Sequence, residues 1–107
     1  MEGKIKVIIK RPDEEYGHVT NISASLKNLQ KTVDGYIETL QIAASTVLIM
    51  NEEGMILDLE PNFRIREDYV EGIIYGTVIV VGTDGEDFTD LPISFDAWKA
   101  LLKRWGN

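Results

Sequence analysis

The sequence has 107 residues, 44% of them apolar, with a formal net charge of −7 and no cysteine. That is one domain, residues 1–107, with enough Ile, Val and Leu to fill a single core. The lack of cysteine excludes a disulfide framework, Cys-ligated zinc and a thiol nucleophile, and with His18 as the only histidine no zinc ligand set can be assembled.

No run reaches the roughly 18 apolar residues that span a bilayer. "MEGKIKVIIK" starts with an acid and lacks the apolar stretch of a signal peptide, so the chain reads as soluble and cytoplasmic. "KIKVIIK", residues 4–10, is β-branched and apolar and predicts a strand. "RPDEEYG" breaks it, because Pro12 lacks an amide donor and the charges prefer water; "GHVTNI" predicts a second strand. Ser25 is a helix cap, and Leu26, Leu29 and Val33 follow at one-face spacing, which predicts a short helix over 26–34 closed by Gly35 in the left-handed conformation.

"YIETLQIA" alternates imperfectly, as a strand with a slip does. "TVLIM" (46–50) and "IIYGTVIVVG" (73–82) are continuous apolar runs and predict two buried central strands. Between them, "LEPNFRIREDYVEG" carries Pro61, Gly72 and several charges and reads as a long connection with at most a short strand or helical turn. Asp84-Gly85 signals a tight turn. Ser94 then caps the strongest helix, with Asp96 in its first turn, Lys103 and Arg104 in its last, and Phe95, Trp98, Leu101, Leu102 and Trp105 as its apolar stripe. The expected fold is α+β: a curled, mainly antiparallel sheet of about five strands, one short inserted helix, and a C-terminal amphipathic helix packed on the sheet.

Charge is distributed unevenly. Residues 1–50 hold six acids and six bases, whereas residues 51–90 hold eleven acids against Arg64 and Arg66. Such a segment repels a phosphate backbone and attracts a basic-surfaced protein, so direct nucleic-acid binding is not expected there. "MNEEGMILDLEPN", residues 50–62, invites comparison with a calcium loop. With Gly54 at the sixth position, Ile49 falls at the first, where an oxygen ligand is required, and a hairpin turn over Asn51–Gly54 is the cheaper account. No cofactor motif, nucleophile elbow or phosphate loop is present.

The polar and aromatic residues left near strand ends are Tyr36, Glu38, Asn51, Glu52, Glu53, Asn62, Arg64 and Tyr75, which would line a shallow recognition surface. "LKNLQKTVDGYIETL" (26–40), "NEEG" (51–54), "LEPN" (59–62) and "IYGTVIVVGTDGEDFTDL" (74–91), in this order, resemble a family of short uncharacterised proteins from bacteriophages, plasmids and conjugative elements, some beside antirestriction-type genes. The resemblance implies an accessory protein of a mobile element, with motif positions Gly35, Tyr36, Glu38, Asn51, Glu52, Gly54, Asn62, Gly76 and Gly82, and transfers no catalytic residues. The reading is a non-catalytic module that docks a basic-surfaced host or element protein, with DNA mimicry as its sharpest form. Alternatives are sequestration of a nucleotide through Tyr36, Asn51, Asn62 and Arg64, and a weak hydrolase that uses acids and a metal.

Overall fold

A computed structural model describes residues 3–68 and 70–107. The fold is α+β, in the order β1 (Lys4–Lys10), β2 (His18–Ser23), α1 (Leu26–Val33), β3 (Ile37–Ala43), β4 (Thr46–Asn51), β5 (Pro61–Glu67), β6 (Val70–Tyr75), β7 (Val78–Asp84), β8 (Asp87–Thr89), α2 (Phe95–Arg104). Six strands form one sheet, ordered β2-β1-β7-β4-β3 with β8 also on β7, and β5 and β6 form a separate pair. Every pairing is antiparallel.

Side-chain alternation sorts the central strands into two cores. Val7, Ile9, Val47, Ile49, Ile79 and Val81 face Leu29 and Val33 of α1. Ile8, Leu48, Met50, Val78 and Val80 face the opposite way, onto Trp98, Leu102 and Trp105 of α2 and Phe63 and Ile65 of β5. Burial on both faces is why these strands read as unbroken apolar runs rather than alternating ones.

Two expectations are corrected here. The run 73–82 is not one strand: Gly76, at φ +79°, turns the chain between β6 and β7, which belong to different sheets. The stretch 59–72 is likewise not a mere connection, since Pro61 opens β5 at a first-residue position that needs no ladder donor, and β5 and β6 make a hairpin over the α2 face. Eight strands in two sheets thus replace the five expected in one.

Both helix starts match the sequence. Ser25 Oγ accepts from Asn28 N at 3.2 Å, and Ser94 Oγ from Ala97 N at 3.0 Å. The close of α1 differs. Asp34, not Gly35, takes the left-handed conformation (φ 63°), and Gly35 N donates to Gln30 O to finish the turn. Gly35 is required for another reason: a Cβ there would stand 2.5 Å from the Asn51 amide nitrogen.

The β5–β6 hairpin is fixed to α2 by aromatic packing. Phe63 stacks on Trp105 (6.0 Å between centroids, 9°) and meets Trp98 edge-on (5.7 Å, 85°). Glu67 finishes the joint by accepting from Trp105 Nε1 at 2.9 Å and pairing with Arg104. The indole hydrogen bond first, and then the Arg104 bond and charge, hold the Glu67 carboxyl below the ordinary glutamate range. A depressed carboxyl adds stability above its unfolded pKa and loses it as pH falls through the folded value. Glu67→Gln should therefore be less stable than wild type at pH 6, and the gap should shrink steadily between pH 4.5 and pH 3, as read from urea midpoints. A gap independent of pH would rule out the carboxylate as its source.

Candidate functional site

The segment between β4 and β5 is where the sequence turns acidic, and it is tightly built. Asn51 is buried at the end of β4. Its Nδ2 donates to Val33 O (3.2 Å) and Asp34 O (3.0 Å), satisfying the open carbonyl end of α1, while its Oδ1 accepts from Glu53 N (2.8 Å). That last bond caps one helical turn, marked by Leu57 N donating to Glu53 O. The turn closes as a helix does. Asp58 is left-handed (φ 58°), its N–H donates to Met55 O, and Leu59 N donates to Gly54 O. The expected hairpin turn over Asn51–Gly54 is therefore a capped helical turn that links the large sheet to the small one, and β4 and β5 do not pair.

The turn holds three consecutive apolar side chains in water: Met55, Ile56 and Leu57 are 70, 79 and 52% exposed. The exposed Tyr36 (67%) meets the start of the turn through its backbone, where Glu52 N donates to Tyr36 O at 3.0 Å. Ile73 (41%) adds the outer face of β6. A cleft of about 210 Å³ runs between β3, the turn and β6, lined by Glu38, Met50, Asn51, Glu52, Gly54, Met55, Ile73, Ile74 and Tyr75. Glu38, Glu52 and Glu53 are exposed, and among the described residues their side chains have no hydrogen-bond or ion-pair partner. The turn is thus an apolar knob with an acidic rim.

Of the residues expected to form a recognition surface, Tyr36, Glu38, Asn51, Glu52, Glu53 and Tyr75 belong to the turn, its cleft or the strand end bonded to it. Asn51 does so as the frame, with both halves of its amide committed. Asn62 and Arg64 are on β5 and are not part of the cleft lining. Asn62 Oδ1 accepts from Lys10 Nζ at 2.6 Å, and its Nδ2 donates to Lys10 O (2.8 Å) and Gly76 O (2.7 Å), tying β1 and β5 to the β6–β7 turn. Lys10 is itself buried, donates also to Glu14 O at 2.7 Å and sits over the Phe63 ring. Burial pushes its ammonium below the ordinary lysine value, with Glu14 and Asp13 acting in the other direction. Arg64 stands opposite Ile73 in the β5–β6 register, with its backbone held by Asn107. The four residues expected to hold a nucleotide are therefore divided between two places, and both asparagine amides are occupied by protein.

His18 Nδ1 meets Glu14 Oε2 at 2.8 Å on the exposed β1–β2 loop. Among the described residues no group of three His, Asp or Glu side chains is placed to hold a metal ion. No described helix is long and apolar enough to cross a membrane. The signal that sequence reasoning passed over is "MIL" at 55–57, three apolar residues in a row between Gly54 and Asp58, inside a stretch whose acids drew attention first.

A family model described as a domain of unknown function, DUF3846, matches residues 5–103. No curated protein and no solved structure matches the chain.

The framing role of Asn51 is testable. Asn51→Ala removes three hydrogen bonds and leaves two helix-end carbonyls without donors, so stability should fall by about 2–4 kcal/mol. Hydrogen exchange at Leu57 and Leu59 should accelerate more than at Ile79 in the sheet. Uniform acceleration would mean that Asn51 supports the whole domain rather than the turn.

Proposed function

Starting from a chain that belongs to the DUF3846 family of unknown function, we propose that it is a non-catalytic protein-binding module that docks a basic-surfaced partner through the β4–β5 turn. The observation that carries this reading is the exposure of Met55, Ile56 and Leu57 on a turn whose backbone is fixed by its own hydrogen bonds. A flexible loop could fold such residues inward; this one is capped at both ends and holds them outward. Apolar side chains grouped in this way are what association buries.

The acidic rim selects the partner's charge. Glu38, Glu52 and Glu53 repel phosphate backbones and steer a basic surface, speeding encounter more than strengthening the final complex. The resemblance to phage, plasmid and conjugative-element proteins makes a host or element protein the natural candidate. DNA mimicry is a weaker form of the same reading, because a duplex mimic presents spaced charges rather than an apolar knob.

The test separates charge from apolar contact. In a low-salt pull-down, Met55→Ser/Ile56→Ser/Leu57→Ser should abolish partner capture, while Glu52→Lys/Glu53→Lys should weaken it and remove its salt dependence. Each of these exposed substitutions should change folding stability by no more than about 0.5 kcal/mol. Capture that survives the triple substitution would refute docking through the turn.

A further inference from the structure

The cleft beside the turn has a chemistry more specific than that of an acidic rim. Its lining combines Met50, Met55, Ile73, Ile74 and Tyr75 with the carboxylates Glu38 and Glu52. At about 210 Å³ it is smaller than the roughly 300–1,000 Å³ typical of pockets for drug-sized ligands. It suits one long side chain.

One carboxylate comes from β3 and the other from the turn that follows β4. Glu38 pairs with Met50 in the β3–β4 register, and Glu52 lies two residues beyond Met50, where Glu52 N donates to Tyr36 O. Both line the same cleft. Among the described residues neither makes an ion pair, and nor does Arg64, which stands opposite Ile73 in the β5–β6 register.

Resting on the docking reading above, we infer that this cleft seats an arginine side chain of the partner, its methylenes against Met55 and Ile73 and its guanidinium across Glu38 and Glu52. An apolar side chain would cover both carboxylates and leave them without partners, which is costly. An anion would be repelled. Lysine would serve one carboxylate as a point charge, whereas the planar guanidinium presents several donors in a fork that reaches two. An amphipathic stem with a cationic head matches a lining that is part apolar and part acidic.

The experiment uses the whole chain, isotope-labelled for NMR, titrated with Nα-acetyl-arginine methylamide and, separately, with its citrulline and norleucine counterparts. The arginine compound should shift the amides of Glu38, Glu52, Gly54 and Tyr75, and bind at least about tenfold more tightly than either control. In Glu38→Gln/Glu52→Gln that advantage should vanish while the melting temperature stays near wild type, which separates lost binding from lost folding. Equal affinity for citrulline or norleucine, an undiminished response in the double variant, or shifts spread equally over the acidic β7–β8 hairpin would each overturn the assignment. If the arginine compound fails while the triple serine variant still loses its partner, the anchor falls and docking through the turn stands.

Discussion

The rest of the structure follows from one constraint: β1, β4 and β7 are apolar on both faces, so the sheet must be covered twice. Val78, Ile79, Val80 and Val81 are all fully buried, as are Ile8, Leu48 and Ile49. α1, only eight residues long, covers one face with Leu29 and Val33. The opposite face is too wide for the ten-residue α2 alone, and β5–β6 fills the remainder with Phe63, Ile65 and Ile74. The hairpin's departure from the main sheet is the price of that second cover. It obliges the chain to leave β4 at Asn51, cross to the other layer and return through Gly76, and both crossings are held by an asparagine.

The first of these asparagines explains why the turn is rigid enough to display apolar side chains. Burying a Met, Ile or Leu side chain is worth about 1.5–3 kcal/mol, so a free loop would tend to collapse them onto the molecule. Asn51 instead joins the carbonyl end of α1 to the amide start of the turn, and the left-handed Asp58 closes it. Glu38 belongs to the same geometry. It shares a face of β3 with Leu40 and Ile42, where the pattern would place an apolar residue, and it lines the cleft. The irregular alternation of "YIETLQIA" therefore has two sources: a bulge at Gln41–Ala43 and a polar residue at a site edge.

Much of this was legible beforehand, and the exceptions have physical reasons. The starts of β1 and β4, the Ser25 and Ser94 helix caps and the Asp84-Gly85 turn are local signals, and they lie where the residues indicate. The division of 73–82 into two strands is not local. Ile73 and Ile74 look like Val78 to Val81 until the partner strands are known, and only Gly76 between them marks the change of sheet. β5 was hidden because Arg64 and Arg66 point outward from Phe63 and Ile65, an alternation obscured by Pro61 and by the charges that follow. Asn51 and Asn62 stood out correctly as special, but their amides serve backbone carbonyls across the fold, and sequence spacing cannot distinguish that from a ligand. The left-handed Asp34 displaced the expected Gly35 because glycine was needed next door for contact with Asn51.

The electrostatics divide in the same way. On α2, Lys99 lies near Asp96 (3.5 Å) and over the Tyr16 and Phe95 rings, Lys103 lies over Tyr16, and Arg104 pairs with Glu67, so these bases are engaged within the molecule. Glu14 is similarly occupied by Arg11 and His18. Among the described residues the acids of the turn and of β3 have no such partners. Net charge therefore understates the local asymmetry: around Met55 to Leu57 the negative field is not cancelled at short range, while at the opposite helix positive charge is consumed by rings and carboxylates. Screening over about 8 Å at physiological salt confines that field to partners already close to the surface. The acids then set orientation, and the apolar knob and its cleft supply the contact that holds.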